Sequence, residues 1–205
     1  MKTVPSQAHG ARAPGRPREF DIDEALDRAI DVFRERGYHA ASMSDLVEGM
    51  GLTRGSVYKA FTDKRSIFLA AYDRYASARG AVTQQALARA DSGRAKIRAL
   101  FDSYAQLSLD SDGRKGCLVV ATATELSVVD AEMAQRVAAS FERTRQLLKS
   151  LIQAGKADGS INSLIEEDST AESLLCLLQG MRLVGKTGPA PAAIAGIVDV
   201  VMKTL

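Results

Sequence analysis

Tryptophan is absent from the 205 residues, and cysteine and histidine occur only twice each. Two cysteines, Cys117 and Cys176, cannot build a disulfide framework, which excludes a stapled secreted mini-protein and points to the cytoplasm. His9 and His39 leave no metal-ligand set and little material for histidine-based catalysis, so neither a metal nor a cofactor is expected. No run of 18 apolar residues occurs, which excludes a membrane-spanning helix, and the N-terminus lacks the apolar core of a secretory signal. The G-x-S-x-G elbow, the P-loop and the dinucleotide fingerprint are all missing, so no catalytic residue is assigned. Proline is missing from Arg18 to Gly188, and β-branched residues never alternate with polar ones over six positions. A sheet is therefore not expected, and the Ala- and Leu-rich chain reads as all-α.

What is present is organised in three parts. Residues 1–17 carry Lys2, Arg12 and Arg16 without an acid and read as a flexible basic arm, either solvated or lying along a nucleic-acid backbone. Residues 18–78 hold three short helical patterns followed by a fourth, longer one. Ile22, Leu26, Ala29, Ile30 and Phe33 recur at helical spacing up to Gly37, which supplies a left-handed stop. Ser42 and Asp45 form a capping box before Leu46, Val47 and Met50, and Gly51 ends that helix. Thr53 caps the next, over Arg54–Phe61, and Thr62 and Asp63 cap a long helix from Lys64 to about Arg89.

Two short helices joined by a Gly-containing turn of three or four residues make a helix-turn-helix, whose second helix enters the DNA major groove. The chemistry fits that use. Arg54, Ser56, Tyr58 and Lys59 lie on the outward face, with Ser42 and Ser44 at the start of the preceding helix. Lys64 stands at a helix N-terminus, where charge and free N–H groups favour a phosphate. The window 52–66 has four bases against Asp63 alone, although residues 1–78 hold 12 bases and 11 acids. Charge is thus segregated rather than abundant, with acids on the first helix and bases on the arm and the reading segment.

Residues 79–205 form a second helical region. Ile97, Leu100, Phe101, Tyr104 and Leu107 line one helix, and Gly116–Leu126 form a small-residue helix with Cys117 in its first turn. Asp130 caps a helix from Ala131 to about Ala154, broken by Gly155 and Gly159. Ser169-Thr170-Ala171-Glu172 opens another as a capping box, and Pro191 starts the last. Arg114, Lys115 and a helix N-terminus beside Cys117 favour its thiolate, while Cys176, amid leucines, reads as buried and inert. Three classes therefore stand at this point: a DNA-binding regulator, a thiol enzyme using Cys117 or Cys176, and a helical adaptor.

The stretch Gly15–Tyr75 resembles the DNA-binding domain of the tetracycline-repressor (TetR) family. The residues that carry the likeness are Gly37-Tyr38, Ser42, Met50-Gly51-Leu52, Gly55-Ser56-Val57-Tyr58-Lys59-Ala60-Phe61 and Asp63-Lys64. The resemblance implies a homodimeric, ligand-responsive regulator, most often a repressor, that leaves a palindromic double-stranded DNA operator when a small effector binds. Many members carry His or Tyr at the position of Ala60, where it touches phosphate; Ala60 cannot, and Lys59 stands beside it. The resemblance also implies an effector cavity in the C-terminal bundle, for which Phe101, Tyr104, Leu107, Val120, Thr124, Phe141 and Met181 are candidates. That mostly apolar set predicts a hydrophobic or aromatic effector. It implies further a four-helix dimer interface from the last two helices, with Leu174, Leu175, Leu178, Met181, Ile194, Ile197, Val198 and Val201 as the apolar faces. An alternative keeps the same scaffold but makes Cys117 a redox or electrophile sensor.

Overall fold

The computed structural model of the protein describes residues 21–205; the basic arm at 1–17 lies outside them. Ten α-helices and one short 3-10 helix make up the regular structure of the described residues. Helix α1 (Ile22–Arg36) is capped by the Asp21 carboxylate, which accepts from the Asp23 and Glu24 N–H groups. Helix α2 (Met43–Met50) opens with the Ser42–Asp45 capping box and closes on Gly51 in the left-handed region. Helix α3 (Arg54–Ala60) is capped by Thr53, and α4 (Lys64–Leu87) by Asp63 with Ser66. These four starts are where the local sequence places them, because side-chain oxygens there satisfy N–H groups that the helices leave free.

Two cores follow. The first joins Ala29, Phe33, Leu46, Val57, Ile67 and Phe68 of α1–α4 with Leu118, Leu126, Met133 and Val137 from further along the chain. Phe33 meets Phe68 edge-to-face at 4.8 Å between ring centres, a favourable aromatic geometry. The second core gathers Ile97, Phe101, Leu148, Ile152, Leu178, Ile194 and Val198 from α5 (Gly93–Gln106), α8 (Ala131–Ala157), α9 (Glu167–Val184) and α10 (Pro191–Thr204). Helix α4 contributes to both cores and runs unbroken through residue 78.

Four local expectations are corrected. Helix α8 continues through Gly155 to Ala157. That glycine lies where α5 begins: a Cβ on Gly93 would collide with the Gly155 backbone, and one on Gly155 would lie 2.5 Å from Ile161 Cδ1. It permits close helix contact rather than ending a helix. Helix α9 is capped by Glu166, three residues before Ser169, whose carboxylate reaches the Asp168 and Ser169 N–H groups. A short helix, α6 (Asp110–Lys115), precedes α7 (Leu118–Glu125), so Gly116 closes α6 at φ +80 and Cys117 is the residue before α7. Finally, the apolar residues expected at a dimer face are almost all interior. Leu174, Leu178, Met181, Ile194, Val198 and Val201 are buried within one chain, while Leu177, Leu183, Val184 and Val200 face outward from α9 and α10. Periodicity shows an apolar face without showing which neighbour covers it, and here the chain's own helices cover it.

Candidate nucleic-acid interface and internal cavity

Helix α3 is held from beneath by Val57 and by Phe61, the residue that ends it. Its remaining surface is open. Arg54, Lys59 and Ala60 are exposed, as are Ser42 and Ser44 at the start of α2. Tyr58 is 48% exposed, so the ring is not a packing residue. Ser56 is half-buried, and its hydroxyl shares a 2.9 Å hydrogen bond with Thr53. Among the described residues no carboxylate pairs with Arg54 or Lys59. The sequence-assigned face is therefore physically continuous, apart from one member.

That member is Lys64. Its ammonium donates to the carbonyls of Tyr38 at 2.8 Å, Ala41 at 3.0 Å and His39 at 3.4 Å, and it lies 4.5 Å from the centre of the Tyr38 ring. All three N–H donors are used within the chain. Lys64 is a clamp on the α1–α2 loop rather than a free phosphate ligand. The same loop is gripped from the other side by Glu125 of α7, which accepts from the Tyr38 N–H at 2.9 Å and the His39 N–H at 3.4 Å. Gly37, at φ +80, lets that carboxylate approach, since a Cβ there would lie 2.5 Å from its Oε1. Arg65 binds Asp130 at 3.1 Å and Glu132 at 2.7 Å, and its guanidinium holds both carboxylates below their ordinary range. The helix-turn-helix is thus bolted to α7 and α8 by charged groups.

A cavity of about 250 Å³ lies among α4, α5, α7, α8 and α9. Tyr104, Leu107 and Phe141 line it as expected. Phe101 and Met181 lie behind the wall in the second core, and Val120 and Thr124 do not reach it, because α7 turns Val119 toward the cavity instead. The expectation of few polar anchors does not hold. Arg79, Arg143 and Arg182 line the cavity with Tyr75, Thr144 and Gln179, and no carboxylate does. Arg182 is 2% exposed and Tyr75 is 4% exposed. The Tyr75 hydroxyl and Arg182 Nη1 have no hydrogen-bond partner, an expensive condition for buried polar groups. Burial raises the pKa of the Tyr75 hydroxyl and pushes that of Tyr104 up to about 12, so both are neutral donors.

Behind this wall Arg182 Nη2 donates to the Gly116 carbonyl at 3.1 Å, and Arg34 Nε of α1 donates to the same oxygen at 2.8 Å. Arg34 is 5% exposed and also binds the Asp112 carbonyl and carboxylate, at 2.9 and 2.7 Å. Sequence reasoning missed both arginines. The available signal was their register: Leu26, Ile30 and Arg34, like Leu174, Leu178 and Arg182, stand four residues apart on one buried row.

The cysteines exchange roles. Cys176 is exposed on α9, whereas Cys117 is partly buried in the cavity wall. Lys115, expected to activate Cys117, spends its ammonium on Asp31 at 2.8 Å and Glu35 at 3.6 Å. Among the described residues no cluster of His, Cys, Asp or Glu could hold a metal ion, and no helix is long and apolar enough to cross a membrane.

An all-helical chain with an open reading helix, locked to a cavity-bearing bundle, defines a helix-turn-helix DNA-binding regulator. The family model "Bacterial regulatory proteins, tetR family" matches residues 25–71, and "Tetracyclin repressor-like, C-terminal domain" matches residues 93–198. The HTH-type transcriptional repressor ComR of Escherichia coli (strain K12) is 30% identical over 86% of this chain and 85% of its own. The uncharacterized regulator YezE of Bacillus subtilis (strain 168) is 32% identical over 82% and 86%. Among solved structures, the TetR family regulator CifR, a cysteine mutant complexed with 26-bp operator DNA, is 28% identical over 92% of this chain and 98% of its own, with a TM-score of 0.79. The chain belongs to the TetR family of bacterial DNA-binding transcriptional regulators, which are not enzymes.

Proposed function

We propose that the protein is a cytoplasmic homodimeric repressor that reads a palindromic operator and is released when a small molecule occupies the cavity. The observation that carries this reading is the fixed link between the α3 face and the cavity wall through Glu125, Arg65 and Arg34. A ligand that reshapes the cavity can then change the energy of the DNA-bound arrangement, which is all that allosteric release requires. The outward side of α9 and α10 supplies the dimer contact. Leu177, Leu183, Val184 and Val200 would otherwise leave large apolar side chains in water. A two-fold dimer places two α3 helices on half-sites about one helical turn, or a multiple of it, apart.

Nuclease protection of the DNA upstream of the protein's own gene tests this, followed by titration with operator variants. Arg54→Ala is expected to cost about 1–3 kcal/mol and to relax preference at one half-site position. Lys59→Ala is expected to weaken all sequences alike and lower the salt slope by about one. Lys64→Met should destabilise the α1–α2 loop rather than reproduce the Lys59 pattern. Wild-type affinity in both Arg54→Ala and Lys59→Ala would remove the interface. A second reading, in which Cys117 senses an electrophile or oxidant, is favoured by one observation, its place in the cavity wall.

A further inference from the structure

We propose that the cavity takes a small carboxylate-bearing molecule with an apolar body, its carboxylate held by Arg182 Nη1 and the Tyr75 hydroxyl. The inference rests on reading this cavity as the regulatory site and names the chemical class that it selects. Three observations converge on it. The wall carries three guanidinium groups and no carboxylate. The nearest acid, Asp112, gives Oδ1 to Arg34 at 2.7 Å, while its Oδ2 lies 3.6 Å from Arg79 and 3.9 Å from Arg182 without a hydrogen bond. Asp112 is thus shared among three cations, of which, among the described residues, only Arg34 has a second acid near it, Asp31 at 3.5 Å, so positive charge remains in excess beside the cavity. Of the buried polar atoms without partners, Arg182 Nη1 and Tyr75 Oη belong to the wall and both are donors, whereas Asp112 Oδ2, an acceptor, lies outside it. A carboxylate supplies what they lack: acceptor capacity for two donors and a charge that offsets the buried guanidinium.

The rest of the wall sets the body of the ligand. Leu107, Phe141, Leu147 and Val119 give an apolar surface, and about 250 Å³ admits only a small molecule. Binding also has a route to the DNA-reading unit. A carboxylate on Arg182 Nη1 repositions the guanidinium whose Nη2 holds the Gly116 carbonyl. That carbonyl is shared with Arg34, and Arg34 belongs to α1. Gly116 sits at φ +80, and a Cβ there would meet the Lys186 side chain at 2.8 Å, so this junction tolerates little else.

The test is calorimetric titration of the full chain with straight-chain monocarboxylates from acetate to octanoate and with benzoate, each beside its methyl ester. Operator affinity is measured on the same samples. At least one acid is expected to bind at least about tenfold more tightly than its ester, the usual weight of a charge-assisted hydrogen bond. Tyr75→Phe removes a hydroxyl that has no partner, so the fold should be unchanged while acid binding falls about tenfold. Arg182→Gln should abolish the preference for acid over ester. Esters that match the acids, acids that bind both variants as they bind wild type, or no binding by any acid would each overturn the carboxylate assignment. Release of DNA by esters alone would do the same while keeping the cavity as the regulatory site. Acid binding that leaves operator affinity unchanged would keep the carboxylate site and overturn both the Gly116 route and the regulatory reading.

Discussion

Arg54 and Arg182 are both cations without a carboxylate tight against them, yet they stand at opposite extremes of burial. Arg54 is exposed on α3, where water solvates the guanidinium at no cost to folding. Such a group suits a large polyanion, whose arrival releases counterions and whose affinity falls with salt. Arg182 is 2% exposed and reaches one carbonyl through Nη2 while Nη1 has nothing. Its desolvation is a standing cost that an anion in the adjoining cavity can offset. The same side chain is therefore suited to a long charged surface at one end of the molecule and to a single small anion at the other. Burial, more than residue type, separates the two.

The largest effect expected from breaking that distinction lies on α10. Val198 is 2% exposed and Val200 is 60% exposed, two residues apart on one helix. Val198→Asp buries a carboxylate and is expected to cost more than about 4 kcal/mol, abolishing cooperative unfolding followed by circular dichroism. Val200→Asp should leave the fold intact and appear as a monomer in sedimentation. A folded monomer from Val198→Asp would reverse the assignment of the two faces.

An intermediate effect compares the two buried arginines. Arg34→Met strips Asp112 of its closest partner and is expected to cost about 3 kcal/mol in urea unfolding. Arg182→Met removes a guanidinium already short of partners and should cost less than half of that. Equal costs would mean that Arg182 is as well satisfied as Arg34.

The smallest effect contrasts the thiols. Cys176, exposed, should alkylate like an ordinary free cysteine, and Cys117 several-fold more slowly because the cavity wall shields it. Peptide mapping after brief alkylation measures both. A faster reaction at Cys117 would strengthen the sensor reading at the expense of a reversibly bound ligand.

The DNA-reading end was legible because its signals are local. Asp21, Ser42, Thr53 and Asp63 cap helices within three residues of themselves, and Gly37 and Gly51 stop them. The cavity was less legible because five helices build it, and which side chains meet there depends on packing among distant segments. Tyr104, Leu107 and Phe141 were found as apolar residues in the right helices. Gln179 and Arg182 were missed because polar residues on helices ordinarily read as solvent-facing, and Tyr75 read only as part of the apolar face of α4. Helix α6 escaped notice because six residues with a glycine at its buried centre, Gly113, carry no periodic apolar signal. Lys64 was placed in the right position but given the wrong task. Sequence shows a cation at a helix start, and only the fold shows three carbonyls already waiting for it.

Helix α4 has a mechanical consequence. Its 24 residues make a rod about 36 Å long, with Ile67 and Phe68 near one end and Tyr75, Arg79 and Thr83 along the cavity side of the other. A tilt of about 5° about the cavity end would sweep the Lys64 end through roughly 3 Å, close to the rise of one base pair along each strand. A displacement of about 0.5 Å at Thr83, four residues from the pivot, is therefore magnified, by length alone, into a shift of one base-pair step at the far end.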